Sequence, residues 1–375
     1  MELVSMFPAV DPIPLPAPVW LFKVLHLLTM VLHFSAVHFL LGGLTLATIW
    51  VIWGRRKRDV VLVEASGVVV SRLPIVMTYV VNLGVPPLLF TQVLYGRALY
   101  TSSVLIGAWW ISVVFLLMVS YALLYYMSAR VNAGRAAGWI GFIALLVVIK
   151  IGAIYTDNMS LMIRPQAWLE MYRSFPEGTK LPSGDPTMFP RWLYMMLGSL
   201  AISGLPLLFL ALKQGYTSEL RGFLHRWGGR MVAIMTVPQI AVAIWVYRVE
   251  PDAVQMGLSA NSYYTVCVIL WAATALLLVL GGAFVSLKRP GGALFPSLLS
   301  LIGFLNVSAM VLYRDGIRDV ALGVSGYDVW DRAVNTNWST VILFVILFVA
   351  ALAIVGWLIS VVAKAKPVEE RYVIN

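Results

Sequence analysis

The chain has 375 residues, of which 61% are hydrophobic and only 12% charged, whereas a soluble domain carries roughly a quarter charged residues. A water-soluble fold would leave most of this apolar surface exposed, so the bilayer must be the solvent. The net charge of +10 does not point to nucleic acid, because the basic residues sit between apolar runs, where they act as topology signals. The single cysteine, Cys267, excludes a disulfide framework and a cysteine-ligated zinc or iron–sulfur site.

Residues 1–18 are proline-rich and carry no lysine or arginine, so they read as an extended lead into the first span rather than a cleavable signal. Runs long enough to cross a ~30 Å core follow at 19–53, 73–96, 102–128, 136–156, 189–212, 230–247, 263–287, 292–313 and 339–363. This predicts an all-α, polytopic membrane bundle of nine transmembrane helices forming a single integral membrane domain over 1–375. Asn82, Gly84, Pro86 and Pro87 predict a kinked second span, and Pro238 a kinked sixth.

Lysine and arginine set the orientation. One side collects Arg55, Arg56, Lys57, Arg58, Arg72, Arg130, Arg135, Lys213, Arg221, Arg226, Arg230, Lys288, Arg289, Lys364, Lys366 and Arg371. The other collects Arg97, Arg164, Arg173, Lys180, Arg191, Arg248, Arg314, Arg318 and Arg332, and twelve of the seventeen acids. With an odd number of spans, this gives an N-terminus outside and a C-terminus inside. A bacterial or archaeal inner (cytoplasmic) membrane suits that pattern. The inner loops, 55–72 among them, are short. Two outer loops, 157–190 and 314–338, are long enough to serve as docking surfaces for partner proteins.

Three of the four histidines fall on the first span. At about 100° per residue His26 and His33 share one helix face, while His38 points roughly 140° away from His33, so one helix does not gather all three around one ligand. Counted up from Arg55, His38 lies about 25 Å above the inner boundary. His26 and His33 read either as hydrogen-bonded packing residues or as cofactor contacts. His38, followed by Gly42 and Gly43, which let a flat macrocycle or a helix approach, is the candidate heme-iron ligand. No other span carries a histidine, so a second axial ligand would have to be methionine or come from a partner.

Lys150, inside the fourth span and two turns from Asp157, could serve a proton path or an anionic head group, or snorkel outward. Arg248, Glu250 and Asp252 close the sixth span, and Arg314, Asp315, Arg318 and Asp319 follow the eighth. Charges at outer helix ends can position a quinone head group or a docked protein. Nucleotide-binding glycine loops, Cys-x-x-Cys-His and Ser/His/Asp sets are absent.

The layout resembles subunit I of cytochrome bd quinol oxidases. That family's first-span pattern, with its heme-ligating histidine, is matched by VHFLLGGLTLA from Val37 to Ala47. Its second-span pattern is echoed by GVPPLLFTQVLYG from Gly84 to Gly96. The opening of its fifth span is echoed by DPTMFPRWLYM from Asp185 to Met195, and the end of its eighth faintly by YRDGIR from Tyr313 to Arg318. Most heme-ligand and oxygen-site residues are missing. Tyr194 stands where the low-spin heme histidine would be, the third and eighth spans carry no glutamate, and the loop at 248–262 is too short for a quinol-binding loop.

The resemblance therefore implies no oxygen reduction. It implies a membrane subunit of a respiratory electron-transfer complex that exchanges electrons between a quinone or menaquinone and outer-side redox subunits such as a multiheme c-type cytochrome. At most it implies a heme b at His38. Two other roles stay open: a cofactor-free anchor for a redox complex, and a small-molecule transporter, although no internal repeat supports the latter.

Overall fold

A computed structural model of the chain describes residues 7–9 and 13–364; Lys366 and Arg371 of the tail lie outside the described residues. α1 (Val19–Lys57) starts after the extended Pro18 and ends on Arg55, Arg56 and Lys57, cations suited to the negative end of the helix dipole. Arg58 adopts a left-handed conformation (φ 55°) and turns the chain sharply back.

Here the structure corrects the expected inner loop. Residues 55–72 are not an open connection, because Val60–Val70 forms a second helix, α2, capped by Asp59 accepting from the Leu62 amide. Gly54 makes the fold-back possible: a Cβ there would meet Val63 and Leu62 at 2.8–2.9 Å. Ala65, Val68, Val69 and Val70 are fully buried, and Ser66 donates to the Ala47 carbonyl at 2.8 Å.

α3 (Leu73–Leu105) runs through Pro86 and Pro87 and departs from helical geometry at Tyr95 (φ −129°, ψ 24°). It continues well past residue 96, so the turn expected on the outer side falls at Ile106, before α4 (Gly107–Asn132). α5 (Gly138–Met162) is followed by a 3₁₀ turn at Pro165–Ala167 and the short α6 (Trp168–Ser174). Trp168 is buried, edge-on to Phe7 at 5.5 Å, so this segment packs onto the N-terminal stretch.

Next come α7 (Met188–Leu210), α8 (Ser218–Arg248), α9 (Asp252–Ala260), α10 (Ser262–Leu287), α11 (Leu294–Val324) and α12 (Trp338–Lys364). α8 begins twelve residues before the expected 230, so the fourth histidine, His225, lies inside a second long helix and is 4% exposed. α11 extends eleven residues beyond 313, so Arg314 to Val324 is helix and the second loop expected outside shrinks to 325–337.

Among the described residues nine helical segments are long and apolar enough to cross a membrane, with Val60–Leu105 counted as one, and there is no regular strand, only an isolated bridge between Leu15 and Val334. The chain is an all-α polytopic bundle. Glycine seams lock one side of it. A Cβ on Gly204 would meet the Gly228 carbonyl at 2.4 Å, and one on Gly229 the Gly282 carbonyl at 2.6 Å, so α7, α8 and α10 pack backbone to backbone. The half of the core near the basic turns centres on Trp50, 1% exposed and edge-on to Phe223 and Trp227. α12 stands apart, with 6% of its apolar window buried within the chain.

Candidate functional site

α1 and α3 run antiparallel, which sets histidines against backbone carbonyls. The Nδ1 of His26 lies 3.1 Å from the Pro87 carbonyl and that of His33 3.1 Å from the Val80 carbonyl, so each Nδ1 carries the proton. Gly84 makes room for the His33 ring, since a Cβ there would lie 2.8 Å from its Cε1. With Nδ1 protonated, His26 Nε2 accepts from Arg318 at 3.0 Å. His26 and His33 thus share the face toward α3, and both are held by the protein itself.

His38 differs. It is 1% exposed, and neither ring nitrogen has a hydrogen-bond partner. Unsatisfied buried nitrogens are the chemistry of a ligand in waiting, but the space is wrong for a macrocycle. A Cβ on Gly42 would fall 2.1 Å from the Ser199 carbonyl, one on Gly198 would fall 3.4 Å from His38 Nε2, and Gly43 is covered by Val69 and Leu73. Phe34 stacks beside the ring at 6.2 Å. The two glycines close a helix crossing with α7 and leave no slot for a macrocycle, so the residues present do not fit a heme there.

The open space lies one face away. A cavity of about 710 Å³ is enclosed by α1, α3, α5, α7, α8, α10 and α11. Its walls are mostly apolar, and its polar groups are few: His33, Tyr155, Arg191, Tyr194, Tyr247, Tyr264, Tyr313, Arg314 and Arg318 among them. Of the expected site residues only His33 lines it; His26, His38, Gly42, Gly43, Lys150, Arg248 and Glu250 do not.

Tyr194, at the position where the resemblance would put a histidine, accepts from the Trp271 indole at 2.8 Å. Trp271 is held in turn through its carbonyl by Asn306 at 3.0 Å. Arg191 is fixed by Glu250 at 2.6 Å and by Ser160 at 3.1 Å. Glu250 lies between α8 and α9 and is 4% exposed. Burial pushes its carboxyl above the ordinary range, and Arg191 opposes that shift.

Arg314 is the exception. Its guanidinium sits 5.5 Å over the Phe34 ring and makes no ion pair or hydrogen bond with any described residue.

The other candidate charges lie outside the cavity. Arg248 is exposed, and Glu250 pairs with Arg191 instead. Lys150 does not bond to Asp157; its Nζ stands 4.2 Å over the Trp109 ring, the arrangement of a snorkelling cation.

Beside the cavity lies a cluster the sequence reading missed. Lys23, 5% exposed, reaches Asp315 at 2.6 Å, Asp319 at 2.5 Å and the Tyr95 hydroxyl at 2.6 Å. Tyr95 donates to Asp319 at 2.6 Å, and Arg318 lies 3.5 Å from Asp315. The signal was the i,i+4 spacing of Asp315 with Asp319 and of Arg314 with Arg318, which lays two charged stripes along one helix. Lys23, 292 residues away, gave none.

No family model matches the chain, and no curated protein matches it. Among solved structures it is similar to the bd oxidase from Geobacillus thermodenitrificans, with a TM-score of 0.67 and 13% sequence identity over 94% of this chain and 100% of that one. At that identity what the two share is the fold: the bundle described here is built like a chain of a bd oxidase.

Proposed function

We propose that the protein is a membrane subunit of a respiratory electron-transfer complex that takes a lipid-soluble quinone, such as a menaquinone, into the 710 Å³ cavity. Electrons pass between that quinone and an outer-side partner such as a c-type cytochrome. The observation that carries the reading is Arg314, a cation with no ion pair to a described residue in a mostly apolar chamber, which suits a small oxygen-bearing head on an apolar tail. Arg314 donates to a head-group oxygen, Arg191 is kept from competing by Glu250, and the apolar walls of α3 and α5 take the tail and exclude water. When bound, the quinone supplies two-electron, two-proton redox chemistry. Orientation with the N-terminus outside, from the basic-residue asymmetry, puts the cavity's arginine end toward the outer connections at 157–190 and 325–337, where the partner docks.

The missing oxygen-site glutamates speak against oxygen reduction, and the filled space beside His38 speaks against heme. A second reading, a cofactor-free anchor, is favoured by the protein-satisfied bonding of His26 and His33. Solvent extraction of the protein purified from quinone-containing membranes separates the two. We expect a quinone in stoichiometric amount, and Arg314→Gln should lower its retention about tenfold, the effect of losing one charge-assisted hydrogen bond. Quinone-free wild-type protein that also fails to bind a soluble naphthoquinone would leave the anchor reading standing.

A further inference from the structure

The redox reading leaves a second hollow unused. On the opposite side of α1, a groove of about 550 Å³ runs between α3, α7 and α11. Its walls are Tyr79, Pro206, Phe209 and Phe304 with other apolar side chains, and Arg72 stands at one end. Phe209 and Phe304 are each 40% exposed, so the groove opens sideways, where a bilayer would cover it. From Ile202 to Leu210 the α7 wall runs about 12 Å at 1.5 Å per residue.

Arg72 has donors engaged but no counter-charge. It bonds to the Val68 carbonyl, to Ser71 Oγ at 3.1 Å and to the Tyr216 hydroxyl at 3.1 Å, all neutral, and it forms no ion pair with a described residue. Inside the groove the Ser300 hydroxyl is buried and has no partner. The helix ends on this side carry Arg55, Arg56, Lys57, Arg58, Arg221 and Arg226 and few acids, so this is the face that the positive-inside rule assigns to the cytoplasm.

We infer that this groove holds one anionic phospholipid of the inner leaflet, its phosphate on Arg72 and an acyl chain along the groove toward Ser300. A free anion would have no use for a slot lined by aromatic and aliphatic carbons. A neutral lipid tail alone would leave the Arg72 charge uncompensated at the edge of the hydrocarbon. An anionic lipid supplies a counter-charge for Arg72 and hydrocarbon for the groove walls, the match that basic pockets between spans on the cytoplasmic side make with lipid in general.

The test is native mass spectrometry of the full-length protein in detergent, titrated with phosphatidylglycerol, with phosphatidylcholine of the same chains, and with inorganic phosphate. One phosphatidylglycerol should stay bound at collision energies that strip phosphatidylcholine. Arg72→Gln should lower that retention about tenfold, to the phosphatidylcholine level, while Arg72→Lys keeps most of it. Because Arg72→Gln also loosens the Tyr216 contact, Ser300→Phe provides a second arm: it fills the groove, leaves Arg72 in place, and should weaken the lipid without changing the melting temperature. Equal retention of the two lipids by wild-type protein, undiminished binding in Arg72→Gln, or full competition by inorganic phosphate would each overturn the assignment. Bound lipid is counted independently of quinone, so failure here leaves the redox reading untouched.

Discussion

Replacing Lys23 by Met removes an ammonium that sits 2.5–2.6 Å from two carboxylates and a phenol. The side chains of Lys23, Asp315 and Asp319 are only 6%, 11% and 16% exposed, so water cannot replace the lost cation. Two carboxylates would then share Arg318, 3.5 Å from Asp315, and breaking a buried pair in this way costs about 3–5 kcal/mol. At roughly 2 °C per kcal/mol, the lower end of the range for large domains, the melting temperature should fall by about 6–10 °C. Adding Asp319→Asn removes the surplus charge and keeps a group able to accept from Tyr95, so the double variant should recover more than half of the loss. Thermal unfolding in one detergent, for the wild type, the two single variants and the double variant, gives the coupling directly. A Lys23→Met protein within about 1 kcal/mol of wild type would mean that the cluster is solvated, and an unrescued double variant would mean that Lys23 acts through packing.

Three further outcomes are expected. In a Cys267→Ala background, cysteines at Lys57 and Ser183, both exposed, should label from opposite faces of sealed membranes, and labelling of both by an impermeant reagent from one side would break the topology; Ser66 is unsuitable because its hydroxyl is buried against Ala47. His38→Leu replaces a ring with two unsatisfied nitrogens by a side chain that needs no partner, so it should be neutral or stabilising by about 1–2 kcal/mol, with no heme b in a pyridine hemochrome assay of either protein. A heme signal present in wild type and lost on substitution would reverse that conclusion. A bulky tag inserted after Ser183 should release an outer-side partner without lowering the melting temperature, because Gly178 and Thr179, whose carbonyls hold Ala108 and Trp109, remain in place; a partner still bound would move the docking surface elsewhere.

The spans were legible because twenty consecutive apolar residues have few other places to go. Helix α2 was not, since Val60–Val70 is too short to span and its neighbours Arg55 to Arg58 looked like the whole of a loop; only its burial against α1 makes it a helix. The far end of α11 was misread for a related reason. Arg314, Asp315, Arg318 and Asp319 read as charges beyond the end of the eighth span, yet each finds a partner or a chamber inside the bundle. The angular argument for the histidines separated His38 from His26 and His33, but no pattern in one chain could tell that Ser199 fills the space above Gly42. Arg191 and Glu250 meet across 59 positions, a pairing that only the packing of α7 against α8 creates.

The loose attachment of α12 has a consequence for how the molecule is assembled. What ties it to the rest is the stretch just before it, where Leu15 donates to the Ala333 carbonyl at 2.8 Å and Asn335 and Asn337 donate to the carbonyls of Leu15 and Pro16. No residue of α12 lines the cavity or joins the Lys23 cluster. Its place in the bilayer therefore rests on its own partitioning into lipid rather than on side-chain packing. The helices before it line both chambers without it, and the ninth span stands beside them as an outrigger tethered through residues 333–337.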